Sequence, residues 1–131
     1  MRRIFVDTRA LLALLDRADP RHAAVRDAFA GLADAELLTH GYVVAESLAV
    51  ARRRFGVEGA IALIDDVLPA IDVVAVDPEL HLRVLARYRD ALPTGVSFVD
   101  RGSFAVIERE LVSAVLAIDA DFAATGAPLI P

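Results

Sequence analysis

The chain has 131 residues, a formal net charge of −5 and no cysteine, and 56% of its residues are hydrophobic. This composition excludes a disordered chain, disulfide bonds and thiolate metal sites. All fourteen basic residues are arginine, which also excludes the P-loop NTPases because their phosphate-binding motif needs a lysine.

Short apolar strands alternate with helical segments along the chain. Strands are predicted at residues 4–6, 36–39, 72–76, 113–118 and 129–130, and helices at 8–15, 21–32, 42–55, 57–68, 78–92, from 97 onward and at 122–125. Alternating strands and helices imply right-handed crossovers and a mostly parallel sheet with helices on both faces. The sequence therefore predicts an α/β fold, a three-layer α/β/α sandwich that forms one domain over residues 1–131.

No segment of the sequence resembles a membrane span or a secretion signal. Aspartate and arginine interrupt every apolar run before it reaches the roughly 18 residues that a span needs. The arginines near the N-terminus are not followed by a signal-like apolar segment. We expect a cytoplasmic protein. We also expect a homodimer, because the apolar helices within residues 42–68 offer more hydrophobic surface than a small sheet needs.

Aspartates follow two of the predicted strands. Asp7 follows the first strand and Asp119 the fourth, so both should lie at the carboxyl edge of the sheet, where ligands bind in such folds. Each also has a purely structural interpretation. Asp7 could cap the helix that begins at Thr8, which would contribute about 1 kcal/mol. Asp119 and Asp121 could be turn residues, and Asp100 could form a capping box with Ser97.

Glu46 lies in a predicted helix that is apolar on nearly every side, so we expect the helix to be largely buried. A buried ionised carboxylate needs a cation, a metal or a proton to offset its desolvation. An ion pair with an arginine in the core is the alternative to a functional role.

Considered together, these acids indicate a metal site. No histidine, cysteine or lysine stands beside them, and sites built from carboxylates alone suit Mg²⁺ and Mn²⁺. Such ions activate water for the hydrolysis of phosphodiesters. Bare carboxylates would repel a phosphate, so the hypothesis requires the metal.

Four motifs then appear in a fixed order: VDT (6–8), VVAES (43–47), SFVDRGSF (97–104) and LAIDADF (116–122). Together they resemble the PIN-domain ribonucleases, particularly the VapC-type toxins of bacterial toxin–antitoxin pairs, over nearly the whole chain. The resemblance implies that Asp7, Glu46, Asp100 and Asp119 are catalytic metal ligands, with Asp121 as an auxiliary ligand.

The same resemblance implies Mg²⁺- or Mn²⁺-dependent cleavage of RNA and inhibition by a cognate antitoxin. We expect the substrate to be transfer RNA or ribosomal RNA. The alternative is a catalytically inactive PIN-like module that binds protein or RNA without cutting it.

Other polar residues depart from the family pattern or carry weaker signals. Arg9 stands where a small residue is common and Ala117 where threonine is common. Residues 52–54 form an arginine cluster, which we interpret as a solvated helix end. Arg101 is the better candidate for a phosphate contact. The histidines, which we interpret as surface or capping residues, are His22, His40 and His81.

Overall fold

The computed structural model describes residues Met1–Pro131. The strands are β1 (Arg3–Val6), β2 (Glu36–His40), β3 (Asp72–Val74), β4 (Ala114–Leu116) and β5 (Leu129–Ile130). The helices are α1 (Thr8–Leu15), α2 (His22–Ala30), α3 (Gly41–Ala62), α4 (Pro78–Asp90) and α5 (Phe98–Glu110). A π-helical turn spans Leu63–Val67, and 3₁₀ turns span Leu68–Ala70, Leu92–Thr94 and Ala120–Thr125.

The five strands form one parallel sheet in the order β3-β2-β1-β4-β5. Phe5 on the central strand lies opposite Leu38 on one side and Val115 on the other. Right-handed crossovers place α1, α2 and α3 on one face and α4 and α5 on the other, because the strand order reverses at β1. The predicted three-layer α/β/α arrangement is confirmed.

The core forms around the central strands. Ile4, Phe5 and Val6 have no exposed surface, and Val115 and Leu116 of the neighbouring strand are equally buried. Strands covered on both faces are apolar throughout, which explains why β1 and β4 read as continuous hydrophobic runs in the sequence. The carboxyl ends of these two strands therefore open onto one edge of a rigid core.

Helix α3 is less buried than its sequence suggests. Its buried residues are Val43, Ser47 and Ala51, which follow a spacing of four and form one narrow stripe. The prediction of a largely buried helix is wrong, because α3 packs along this stripe alone and its other alanines and valines are exposed or half-buried.

A bend occurs at Gly56, where the sequence predicts that one helix ends and the next begins. Gly56 has φ 74° and ψ −165°, a conformation that favours glycine, and it divides α3 although the helical hydrogen bonding continues to Ala62. Beyond this point, the side chains of Val57, Ile61 and Ile64 are about half exposed, at 56%, 50% and 50%. Their spacing of four and three residues places them on one face of the helix.

Other boundaries differ by a few residues. Strand β3 ends at Val74 instead of residue 76, since the chain turns there toward Asp77, which caps α4 by accepting the Leu80 N–H at 2.8 Å. Strand β4 covers Ala114–Leu116 instead of 113–118. None of the helices combines the length and hydropathy needed to cross a lipid bilayer.

Candidate functional site

The predicted acidic residues lie on four different parts of the fold. Asp7 follows β1, and Asp119 follows β4 with Asp121 two residues further on. Glu46 lies in the second turn of α3 and Asp100 in the first turn of α5. Parallel topology brings these points to the same edge of the sheet, so residues far apart in sequence become neighbours.

Asp7 is the most buried of them, with 2% of its surface exposed. The pKa of its carboxyl group is raised to about 7, mainly by burial and also by the negative charges of Asp100 and Glu46, against the opposing effect of the Thr8 and Arg9 amides. The Oδ1 atom of Asp7 is buried without a hydrogen-bond partner. Burying an acceptor in this way is costly, so the position of Asp7 calls for a partner outside the chain.

Asp7 occupies the N-cap position of α1 but does not cap the helix. Its backbone is extended there, with φ −92° and ψ 163°, and its side chain forms no capping hydrogen bond. The interpretation of Asp7 as a helix cap is therefore wrong. The amides of Thr8 and Arg9 face its carboxylate closely enough to affect the pKa, yet neither reaches hydrogen-bond geometry.

Asp100 is half-buried and belongs to the same electrostatic cluster. Burial is the main cause that raises the pKa of its carboxyl group to about 6, followed by the charges of Asp119, Glu46 and Asp121, while the Ser97 hydroxyl lowers it. Ser97 caps α5 by accepting the Asp100 N–H at 3.1 Å. The reciprocal bond of a full capping box, from the Ser97 N–H to the Asp100 carboxylate, is not formed. These electrostatic effects indicate that all five predicted residues lie near one another.

The three remaining acids are more exposed than Asp7. Glu46 is half-buried, contrary to the prediction that its helix is largely buried. Asp119 accepts the Asp121 N–H at 2.9 Å, which confirms its role in the turn after β4. Asp121 is exposed.

No arginine neutralises this acidic cluster. The ion pairs of the structure use other carboxylates, and none of them involves any of the five residues. The alternative of a core ion pair for Glu46 is therefore wrong. No three of the carboxylates converge closely enough to hold a metal ion as they stand. Like charges repel one another, and the all-oxygen donor set would fit a hard divalent cation.

A cavity of about 290 Å³ adjoins the cluster, and its lining includes Glu46 together with Thr8, Arg9, Val50 and Arg54. Neither arginine forms an ion pair or a side-chain hydrogen bond, although both share this cavity with a carboxylate. The lining thus combines the carboxylates of Glu46 and Asp19 with two unpaired guanidinium groups.

Arg101 is turned toward its own helix and the preceding turn. Its guanidinium donates to Thr94 Oγ1 at 3.2 Å and lies 5.8 Å from the ring centroid of Phe104. Despite its position beside Asp100 in the sequence, it forms no ion pair with any of the acids.

The histidines do not join the site as ligands. His22 donates from Nδ1 to the Ala13 carbonyl at 2.7 Å. His81 is hydrogen-bonded to the Tyr42 hydroxyl. His40 caps α3, as predicted, but it is completely buried and also contacts Ser103, a residue that the sequence pattern did not single out.

Comparison with known proteins shows the family. The model of the PIN domain matches residues 4–128. VapC20 of Mycobacterium tuberculosis, a 23S rRNA-specific endonuclease, is 31% identical over 127 residues, which cover 94% of each chain. The chain belongs to the PIN-domain family and, within it, to the VapC proteins. The predicted family is confirmed.

Further relatives agree with this membership. Ribonuclease VapC26 of Mycobacterium tuberculosis is 29% identical over 120 residues, 88% of this VapC-type chain and 86% of the relative. The crystal structure of VapC20 superposes with a TM-score of 0.86 at 29% identity and covers 98% of this chain and 99% of the other. FitAcB from Neisseria gonorrhoeae, with a TM-score of 0.71, 16% identity and coverage of 98% and 96%, shares the fold.

The raised pKa of Asp7 predicts a pH-dependent stability in the metal-free VapC-type chain. An acid whose pKa is higher in the folded state binds more protons than the unfolded chain between pH 4 and 7, so stability falls as the pH rises through this interval. Asp7→Asn removes this loss. With chelator at pH 8, we expect the variant to exceed the wild type in free energy of unfolding by up to about 4 kcal/mol, and to match it near pH 4.

Urea unfolding between pH 4 and 8 measures this difference. Asp27→Asn is the control, since Asp27 is exposed and its carboxylate faces Arg26 at 3.3 Å. Parallel pH profiles for Asp7→Asn and the wild type would contradict the assignment of a raised pKa to Asp7.

Proposed function

We propose that this chain is a metal-dependent endoribonuclease of the toxin type, which hydrolyses RNA phosphodiester bonds and is neutralised by a cognate antitoxin. The observation that carries the proposal is the gathering of five carboxylates at one sheet edge, none of which forms an ion pair with an arginine. Desolvation and mutual repulsion make such a cluster costly to ionise. A bound cation would offset both costs, whereas a purely structural role for the cluster would need an ion pair with an arginine, which none of the five carboxylates forms.

The metal is proposed to be Mg²⁺ or Mn²⁺, held by Asp7, Glu46, Asp100 and Asp119, with Asp121 at the margin. Both ions prefer oxygen ligands, and the unpartnered Oδ1 of Asp7 offers one such ligand inside the core. When bound, the ion lowers the pKa of a water molecule and neutralises charge on the phosphodiester.

The chain's own residues contribute placement and charge. The rigid end of β1 holds the Asp7 carboxylate away from bulk water, and the Ser97 cap fixes the first turn of α5, which carries Asp100. Arg9 and Arg54 would bind phosphate groups that flank the scissile bond, because they line the cavity that Glu46 also lines. In this arrangement the carboxylates would bind the metal ion, and the two arginines would bind the RNA.

We further propose ribosomal RNA as the substrate class. Support comes from VapC20, which is named a 23S rRNA-specific endonuclease and whose crystal structure is described as a sarcin–ricin loop cleaving toxin. This relative matches nearly the full length of the chain. Cleavage of such a substrate would take place in the cytoplasm, by residues 1–131 acting as one PIN-like domain.

The antitoxin is proposed to be a small protein encoded beside this chain, as the VapC-type membership suggests. Co-expression with the product of a neighbouring short reading frame should yield a complex that no longer cleaves RNA. Full activity of such a complex would count against neutralisation by that partner.

The homodimer remains a proposal, supported by the exposed face formed by Val57, Ile61 and Ile64 beyond the Gly56 bend. Three half-exposed aliphatic side chains on one helix face form a patch of the kind that subunits cover. Light scattering measures the mass in solution, and a monomeric mass without antitoxin would contradict the proposal.

Cleavage of ribosomal RNA fragments should depend on Mn²⁺ or Mg²⁺, and Asp7→Asn or Asp100→Asn should each lower the rate by at least about 100-fold. Asparagine keeps the shape of the side chain but loses the charge that a divalent cation needs. Asp65→Asn is the matched control, since Asp65 is exposed and lies outside the cluster. Full activity in either site variant would overturn the proposed function. A chain that binds Mn²⁺ but does not cleave RNA, or one that does neither, would favour the inactive binding module.

Arg54→Ala should raise the KM for RNA about five- to tenfold with little change in kcat, because Arg54 would bind substrate phosphate and not the reacting atoms. The slope of log KM against log salt should fall by about 0.7 for a single-stranded substrate. Arg53→Ala is the control, since Arg53 is its exposed neighbour and lies outside the cavity. Equal effects of the two variants would contradict a specific contact by Arg54.

A further inference from the structure

His40 ends β2 with no exposed surface. Its Nδ1 atom accepts the backbone N–H of Tyr42 at 3.2 Å and that of Val43 at 3.4 Å, which caps α3. An accepting Nδ1 leaves the proton on Nε2. The tautomer of His40 is therefore set by the first turn of α3.

The protonated Nε2 donates to Ser103 Oγ at 2.8 Å. Ser103 is also completely buried, and its hydroxyl donates in turn to the Val99 carbonyl at 3.1 Å, in the first turn of α5. The hydrogen bonds thus run in one direction, from the amides of α3 through the His40 ring to α5. No other side-chain hydrogen bond joins β2 or α3 to α5.

The packing around this connection is tight. A Cβ atom at Gly102 would lie 2.7 Å from Tyr42 Cδ2 and 3.5 Å from His40 Cε1, so α5 approaches the start of α3 as closely as a glycine allows. Burial also lowers the pKa of His40 to about 4, so the ring stays neutral and the same bonds persist at neutral pH.

The connection lies between two of the acidic residues. Glu46 is one helical turn beyond Tyr42 on α3, and Asp100 directly follows Val99 on α5. Their charges already interact, because Glu46 raises the pKa of Asp100. A bond that couples the two helix starts therefore also sets the separation of the two carboxylates.

We propose that His40 is a positioning residue of the nuclease site, which sets the separation of Glu46 and Asp100 through its hydrogen bond to Ser103. The inference rests on the proposed function, since it concerns the same metal ligands. His40 itself touches neither metal nor RNA. It acts through the placement of α5 relative to α3.

Two variants separate this role from simple helix capping. His40→Asn retains an acceptor suited to the cap of α3 but is too short to reach Ser103. Ser103→Ala leaves the cap intact and removes the acceptor of the Nε2 proton, so it gives an answer even if His40→Asn fails to fold. The matched control is His22→Asn. The His22 ring also forms a hydrogen bond, to the Ala13 carbonyl, but it forms none with α5.

The measurement is Mn²⁺ affinity by calorimetry without RNA, at a temperature where circular dichroism shows every variant folded. We expect each of the two variants to bind Mn²⁺ about tenfold more weakly, the lower end of what lost support of a metal ligand costs. The double variant should be no weaker than either single one, because both remove the same bond. His22→Asn should bind as the wild type does.

Unchanged Mn²⁺ affinity in folded Ser103→Ala would overturn the inference, even if the melting temperature falls, because a merely structural bond would change stability alone. Additive losses in the double variant would also overturn it. In both cases wild-type Mn²⁺ binding would leave the proposed function standing. A wild-type chain that does not bind Mn²⁺ would instead overturn the proposed function, and the positioning role with it.

Discussion

Unneutralised negative charge at the carboxyl edge of β1 and β4 is the constraint around which this VapC-type chain is organised. A parallel sheet brings strand ends together, and the buried central strands keep water from Asp7. Desolvation and repulsion then raise the pKa values of Asp7 and Asp100 toward neutrality. Arginines form ion pairs elsewhere in the molecule, yet none forms an ion pair with these acids.

At two of the helix starts around the site, the helix is capped by a residue other than the acidic ones. His40 caps α3 and Ser97 caps α5, so the acidic residue in the first turn of α5, Asp100, is not needed as a cap. At α1 the cap position is held by Asp7, which does not cap, so that helix forgoes about 1 kcal/mol of local stabilisation. Loss of a local stabilising interaction at one defined position is typical of a functional site.

The distribution of charge limits where RNA could bind. The chain is acidic overall, which fits poorly with a protein that holds RNA by a broad basic patch. Two free arginines beside Glu46 provide a local exception, while Arg101 is engaged by Thr94 and Phe104. Under the proposed function, contact with RNA would be confined to the neighbourhood of the proposed metal ligands, where a bound cation would also attract phosphate.

The sequence by itself determined the order of the strands and helices, the parallel sheet and which acidic residues follow strand ends or lie near helix starts. Local sequence patterns mark where strands end and helices begin. Its errors concern features that the local pattern does not contain. The burial of α3 depends on which side of the helix packs against the rest of the fold, and the capping of α1 depends on the direction of the buried Asp7 carboxylate. The pairing of His40 with Ser103 likewise joins residues 63 positions apart. Only the tertiary structure decided it, since packing α5 against the start of α3 creates the contact.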